Sequence, residues 1–170
     1  MAINFPEGWT YWPSKIFQVK TSTFTSVHTH TALAWASTGL ECAITPLDTS
    51  HKILILCNAA LRVNNLGNTS YHEAEGQYRI TANTGSGDNP MYGGSAGIRL
   101  SGYGGQKHFS TNITHNIRDG ISNLNQRTYK LQFGGANNTF QIILNNQLHY
   151  HATGAEPTES SMITLIEYLP

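Results

Sequence analysis

The sequence predicts an all-β protein, built as a single β-sandwich behind a short N-terminal arm. Three observations support this prediction. Short runs are rich in β-branched and aromatic residues, Gly, Asn, Asp and Pro separate these runs, and no long segment has a helical period. The chain has 170 residues, which is enough for one domain with its own core. We therefore assign residues 1–14 to the arm and residues 15–170 to the sandwich.

Strand patterns separated by turn signals follow one another from the arm to the end of the chain. They occupy residues 15–26, 33–36, 40–45, 52–63, 77–82, 96–101, 107–117, 127–133, 139–144, 147–151 and 162–169. We expect a break at 37–39, a glycine-rich loop over 83–95 that cannot be a central strand, and a hairpin turn at Asn145-Asn146. Strand 52–63 is apolar on both faces in its first half, so it is covered on both sides, within the sandwich or at a subunit interface.

The composition excludes several classes of protein. Charged residues make up only 12% of the chain, and ten Lys and Arg balance ten Asp and Glu. This balance leaves no basic footprint for nucleic acid or an anionic membrane. No apolar run is long enough to cross a bilayer, and residues 1–12 lack the basic and apolar regions of a signal peptide.

The sequence carries no catalytic motif, so we predict that the protein is not an enzyme and needs no cofactor. Motifs for a nucleophilic serine, a phosphate loop or a dinucleotide are absent. His72-Glu73 begins like a zinc-protease motif, but the residues that follow do not complete it. Cys42 and Cys57 lie in strand patterns and are expected to be buried free thiols, with a disulfide possible only if their strands are neighbours.

Histidine is the one enriched chemical type, with eight in the chain. His28 and His30 form one His-x-His pair, and His149 and His151 form another. On a strand, each pair would place two imidazoles on one face, which is half of a metal site. Three copies of a pair around a threefold axis would offer six nitrogens. The alternative is that these are hydrogen-bonded surface or interface histidines, or groups that sense pH, and we assign no metal.

Two sets of side chains are candidates for recognition. Large amphipathic side chains in the arm, which suit docking to a partner protein or folding back over the sandwich, are Phe5, Trp9, Tyr11 and Trp12. Loop residues set among Asn, Gly and Ser, which suit binding of a glycan or protein, are Tyr71, His72, Tyr92 and Tyr103. Loops also have this composition for turn geometry alone.

The order of four landmarks resembles a known family. They are SKIFQVKTSTFTS at 14–26, LECAITPLDTSHKILILCNAAL at 40–61, RTYKLQFGG at 127–135 and SSMITLIEYL at 160–169. Together they resemble the small β-sandwich modules of tail fibres and related virion appendages of bacteriophages, especially phages of cyanobacteria and other marine bacteria. The resemblance covers most of the chain and is weakest over 64–125.

The resemblance implies a jelly-roll-like sandwich that assembles as a homotrimer and is built into a virion. It implies a structural protein, either a short fibre or a host-recognition knob. The alternative is a capsid decoration (cement) protein that stabilises the phage head, with the N-terminal arm bound to the capsid shell. The expected partners are other copies of the chain, other virion proteins of the capsid or tail, and a glycan or protein on the host surface. Neither nucleic acid nor membrane insertion is expected.

Overall fold

The computed structural model of the protein describes residues 15–65, 74–93, 97–102, 108–134, 140–145 and 159–170. The regular secondary structure within these ranges is all β, as predicted. In chain order the strands are β1 Ile16–Phe24, β2 His28–His30, β3 Ala36–Ile44, β4 Lys52–Asn65, β5 Ala74–Asn83, β6 Asp88–Tyr92, β7 Ile98–Gly102, β8 His108–Gly120, β9 Arg127–Gly134, β10 Phe140–Leu144 and β11 Ser161–Tyr168. No helix in this part of the chain is long and apolar enough to cross a membrane.

The strands form two antiparallel sheets that make the predicted sandwich. Sheet A has the order β1-β11-β4-β10-β2, with β8 paired along the other side of β4. Sheet B has the order β3-β9-β5-β6, and β7 also pairs with β5. Buried apolar residues from both sheets form one core cluster. The all-β sandwich predicted from the alternation and turn signals is confirmed.

The strand order is that of a jelly roll. β6 and β7 pair with successive parts of β5 and count as one strand, and the short β2 and β10 are additions. The eight principal strands then lie in the order first, eighth, third and sixth in sheet A, and second, seventh, fourth and fifth in sheet B. Two sheets of four strands connected in this way are a jelly roll, one of the ways in which all-β proteins enclose a core.

The core lies between the two sheets, and β4 and β9, which both have neighbours on each side, contribute many of its largest residues. Ile53, Ile55 and Leu61 of β4 face Tyr129 and Phe133 of β9, and each is 1% exposed or less. Full burial of one such side chain stabilises a fold by roughly 1.5–3 kcal/mol. The same alternation runs through β11, where every second residue is buried. The period of two that identifies these strands in the sequence is therefore also what builds the core.

Two predicted details near the start of the sandwich are wrong. Residues 33–35 are not part of a strand, and β2 is formed instead by His28–His30. The expected break at 37–39 lies inside β3, where the register with β9 shifts between Ser37 and Glu41. Gly39 has a φ of +84°, which glycine adopts without steric strain. A β-bulge at this position lets the strand continue past the glycine, so the signal marked an irregularity rather than an end.

The predicted loop over 83–95 is also partly wrong, because it contains β6. This strand pairs with β5 at the edge of sheet B and includes Pro90. Proline has no backbone N–H to donate, so it is tolerated at a sheet edge and not in a central strand. The expected arm over 1–14 and the expected strand over 147–151 lie outside the described residues, so the boundary between arm and sandwich stays a prediction.

Trp35 covers part of the outer face of sheet B, where glycines leave space for its ring. A Cβ atom at Gly97 would lie 2.2 Å from the indole, and one at Gly134 would lie 3.0 Å from it. The guanidinium carbon of Arg79 lies 4.3 Å from the centroid of the ring, in a cation–π contact. Gly97 also has a φ of +73°, so two independent constraints require glycine there.

Candidate functional site

A buried carboxylate ties the end of sheet A to the turn between β3 and β4. Glu167 is 0% exposed, and its oxygens accept hydrogen bonds from Gln18 at 2.5 Å, from the Leu47 amide at 2.9 Å and from Nδ1 of His51 at 2.7 Å. Burial opposes ionisation, but the hydrogen bonds from Gln18, Leu47 and His51 outweigh it and hold the pKa of Glu167 below its ordinary value. Phe17 stacks on His51 at 3.9 Å between ring centroids. Both oxygens of this buried carboxylate are hydrogen-bonded, which suits a structural role.

A second polar cluster joins the two sheets at the end of β8. Asp119 accepts hydrogen bonds from Arg127 at 2.8 Å and from the Tyr129 hydroxyl at 2.6 Å. Arg127 is only 3% exposed and also donates to the Gly120 carbonyl at 3.0 Å. Burial, together with the hydrogen bond to Asp119, raises the pKa of Tyr129. Asp119 pairs with both the guanidinium and the hydroxyl, and Nε of Arg127 is the one buried side-chain atom of these three residues without a partner, so the cluster suits a structural role.

The third cluster contains the pair most similar to a catalytic dyad. His115 lies opposite Cys57 in the β4–β8 register, and the Tyr78 hydroxyl lies 2.7 Å from its Nε2. Burial lowers the pKa of His115 and raises that of Cys57 to about 12. Burial, followed by the nearby Tyr92 and Cys57, raises the pKa of Tyr78 to about 12. A nucleophilic cysteine needs a depressed pKa and exposure, so this buried, protonated thiol is inert at neutral pH.

Tyr92 is the only predicted ligand-binding residue within the described ranges. It lies in the edge strand β6, and its ring centroid is 4.3 Å from that of His115. It is 38% exposed, so part of its ring faces solvent at the rim between the sheets. The other predicted recognition residues lie outside the described ranges. They are Phe5, Trp9, Tyr11, Trp12, Tyr71, His72 and Tyr103.

The histidine pair on β2 has the predicted orientation. His28 and His30 are half-buried while Thr29 between them is exposed, so both imidazoles lie on the inner side of the strand. A ring nitrogen of His30 is 2.9 Å from the Ala34 carbonyl oxygen. Burial, with a smaller effect of His30, lowers the pKa of His28. Among the described residues no group of three or more His, Cys, Asp or Glu side chains is placed to hold a metal ion. His149 and His151 lie outside these residues.

Both described cysteines are free and buried, as predicted from their strand patterns. Cys42 lies in β3 of sheet B, and Cys57 lies in β4 of sheet A. Burial raises the pKa of both thiols. The alternative of a disulfide between neighbouring strands does not occur in this fold.

The outer face of sheet A carries an apolar strip. Val19, Ile166 and Leu54 are aligned by the register across β1, β11 and β4, and Leu56 and Met162 adjoin them. Val19 is 53% exposed, and the other four are partly exposed. This strip is the second apolar face of β4 that the sequence predicts. The described residues that cover the core side of β4 belong to sheet B, so they do not cover the strip.

A groove lies beside the apolar strip, where β4 changes partner. β4 pairs with β11 up to Asn58 and with β10 from Leu61 onward, while β8 stays paired along its other side. The sheet therefore forks at Ala60. The fork groove has a volume of about 520 Å³ and is lined by Asn58, Ala59, Ala60, Asn112, Ile113, Thr114, Glu159 and Ser160. Short side chains at the fork leave the outer surface open.

Two buried polar side chains hold the fork together. Ser161 accepts a hydrogen bond from the Ala60 amide at 3.1 Å and donates to Oδ1 of Asn145 at 2.5 Å. The amide of the Asn145 side chain donates to the Phe24 and Ser26 carbonyls at 2.6 and 3.1 Å. Asn145 and Ser161 are both 0% exposed. The backbone groups released where the strands part are thus satisfied, and the floor of the groove is fixed.

Sequence reasoning missed the fork groove and both buried carboxylate clusters. Asn58, Asn112 and Thr114 have the composition of ordinary solvent-facing strand positions. Glu167 sits at an inward position of an alternating strand, and this is the one signal that was available for it. A charged residue at a core position indicates a buried, paired group.

Comparisons with known proteins give the chain no family. No family model matches it, and no curated protein matches it. Among the solved structures that match is a bacterial lipoprotein from Bacteroides thetaiotaomicron, with 7% sequence identity and a TM-score of 0.36 over 98% of this chain and 94% of that chain. A likeness this weak carries no argument about function.

Proposed function

We propose that the chain is a non-enzymatic structural module of a bacteriophage virion appendage, a short fibre or host-recognition knob that works as a homotrimer. The apolar strip on the outer face of sheet A is the observation that carries this proposal. The landmarks that resemble phage appendage modules support it, since they lie in strands β1, β3, β4, β9 and β11 of the jelly roll. The three buried polar clusters support the absence of catalysis.

A second copy of the chain is the occupant that we propose for the apolar strip. On the outward face of β1, β4, β8 and β11 the charged residues are Lys52 and Arg118 toward one end and Arg62 toward the other. Between these two ends the outward residues are Thr, Asn and apolar side chains, so a second copy packed on the apolar strip meets little charge repulsion. Charged residues are depleted in the same way at the centre of protein interfaces.

The size of this face determines which kind of assembly it supports. The strip crosses three strands, β1, β11 and the first half of β4, and leaves the fork groove uncovered; three strands about 4.8 Å apart, with four outward residues each, cover roughly 300–400 Å². A standard interface buries about 800 Å² on each partner, so the face alone gives a weak contact. If the apolar strip of one copy packs against the same strip of a second copy, the product is a twofold dimer. In a trimer, the strip of each copy must instead contact a different surface of the next copy. The trimer therefore requires additional contact area beyond the strip.

The mass of the purified protein in solution tests self-association. We expect three times 18.7 kDa, about 56 kDa, by light scattering across a concentration series. Ile166→Lys places a charge in the middle of the strip and is expected to weaken association at least tenfold, about 1.4 kcal/mol. Ala43→Lys places the same charge on the exposed outer face of sheet B and is expected to leave the mass unchanged. A wild-type monomer at high concentration would contradict the proposal.

The location of the protein in the virion tests the second part of the proposal, its role as a fibre or knob. Gold-labelled antibody against the purified protein, applied to intact virions, is expected to label the tail in few copies. Label distributed over the capsid in many copies would replace the fibre with the decoration-protein alternative. Virions without any label would refute both.

A further inference from the structure

We propose that the fork groove binds a neutral, hydroxyl-rich ligand, a sugar unit of a saccharide. This inference deepens the recognition half of the proposed function and rests on it. The residues of the groove that the inference uses are Asn58, Ala60, Asn112, Thr114, Glu159 and Ser160, and its volume of about 520 Å³ falls within the range of small-molecule sites.

The chemistry of the lining matches that of sugar hydroxyls. Asn58, Asn112 and Thr114 occupy exposed outward positions on adjacent strands, opposite Ala60 and one another in the register. Amide side chains offer both donors and acceptors, and a hydroxyl does the same. A sugar hydroxyl also donates and accepts, so one hydroxyl can pair with either group of the Asn58 amide or with the hydroxyl of Thr114. Ala60 is 5% exposed and short, which keeps the centre of the groove free of a side chain.

Glu159 gives the groove a vacant acceptor and a charge preference. Its Oε2 atom is buried and has no hydrogen-bond partner in the part of the chain that the structure describes. A buried acceptor without a partner is costly, and a ligand hydroxyl that donates to it would remove that cost. None of the residues that line the groove is a cation. Glu159 is the one charged residue of the described lining and disfavours an anionic sugar, while Arg62, the next outward residue of β4 after Ala60, does not line the groove.

The backbone of the groove argues against a peptide as ligand. Asn58 pairs with Thr114 and Ala60 pairs with Asn112, so the strands of the floor are bonded to each other. The groove lies on the face of the sheet, where an added strand would find no free backbone groups. The apolar part of its lining comes from Ala59, Ala60 and Ile113, which are each 7% exposed or less and form no open pocket for a peptide side chain. Ala59 and Ile113 belong to the inward row and are buried in the core.

Titration of the isotope-labelled protein with simple sugars, followed by NMR, tests the inference. The neutral probes are methyl galactoside, methyl glucoside and N-acetylglucosamine, and the anionic probe is glucuronate. We expect at least one neutral probe to bind saturably with a Kd of about 1–10 mM, the weak affinity of a single sugar ring. Shift changes are expected at Asn58, Asn112 and Thr114, with glucuronate binding at least tenfold more weakly.

Variants assign the binding to the groove. Glu159→Gln and Asn58→Ala are each expected to weaken binding of the neutral probe at least fivefold, with no fall in Tm; Glu159→Gln should leave Tm unchanged or raise it, since it removes a buried charge without a partner. Asn116→Ala is the matched control, because Asn116 is an outward residue of β8 in the next row and does not line the groove. It is expected to leave the Kd unchanged.

Three results would overturn the inference. These are no saturable binding of any neutral probe, equal or tighter binding of glucuronate, and the same Kd in Glu159→Gln and Asn58→Ala as in the wild-type protein. The location of the protein in virions is measured separately. If the protein binds sugar but is absent from virions, the proposed function is refuted while the inference about the groove stands.

Discussion

Removal of the Glu167 carboxylate is expected to be among the most destabilising single changes in this fold. Glu167→Ala leaves the side chain of Gln18, the amide of Leu47 and the imidazole of His51 without their common acceptor. Each of these donors is held in the native state by a hydrogen bond to a charged group. Such bonds contribute about 1.5–3 kcal/mol each, and they are not additive when they share one acceptor.

The expected loss follows from these contacts. Three charge-assisted hydrogen bonds of about 1.5–3 kcal/mol each, which share one acceptor and so do not add fully, together contribute about 3–5 kcal/mol. Glu167 is 0% exposed, so little solvent is available to replace the lost acceptor. We therefore expect the free energy of unfolding to fall by about 4 kcal/mol. In a domain of this size, each kcal/mol lowers Tm by about 2–4 °C, so Tm should fall by about 8–16 °C.

Urea unfolding followed by circular dichroism, together with calorimetry, measures this loss. Glu41→Ala is the matched control, since Glu41 is exposed on the outer face of sheet B and should change stability by no more than about 0.5 kcal/mol. Glu167→Gln keeps the size and one acceptor oxygen, so its loss should be intermediate. A loss in Glu167→Ala that is no larger than in Glu41→Ala would refute the assignment of a buried, stabilising carboxylate.

Three further predictions concern pH, glycine and thiol chemistry. The folded pKa of Glu167 lies below its ordinary value of 4.5, so the stabilisation by its carboxylate is present above pH 4.5 and is lost as the pH falls through the folded pKa. The difference in unfolding free energy between wild type and Glu167→Gln, measured by urea titration, should therefore shrink over that acidic range. A constant difference would contradict the lowered pKa. Gly97→Ala combines a left-handed backbone conformation with a clash against the indole of Trp35, whereas Gly85→Ala has the backbone strain alone. Gly97→Ala should therefore lower the free energy of unfolding, measured in urea, by about 2 kcal/mol more than Gly85→Ala does. Equal losses would show that the clash with Trp35 does not contribute. Cys42 and Cys57 should resist a thiol-specific disulfide reagent at pH 8 in the native protein, because both thiols are buried and burial raises their pKa values. Both should react at once in urea, where the chain is unfolded. Rapid labelling of Cys57 in the native protein would show that the core opens at this residue.

The all-β class and the central strands were predictable because their signal is local. In β9 and β11, the alternation of inward and outward residues follows from the pleat of the strand itself. The period of two can therefore be recognised in the sequence of one strand, even when its neighbours in the sheet are unknown. The second apolar face of β4 was predictable for the same reason, since it appears as an apolar run. The bulge at Gly39 and the edge strand at Pro90 were misread, because glycine and proline mark irregular backbone without saying whether the strand resumes.

The candidate sites depended on contacts between distant parts of the chain. Glu167 meets Gln18 across 149 positions of sequence, and Ser161 meets Ala60 across 101 positions. The sequence by itself determined which residues alternate, which segments become strands and that charge is scarce. Only the tertiary structure decided that β4 exchanges β11 for β10 at Ala60 and so opens a groove. Strand pairing is chosen by the packing of whole sheets against a shared core, and no single segment encodes that choice.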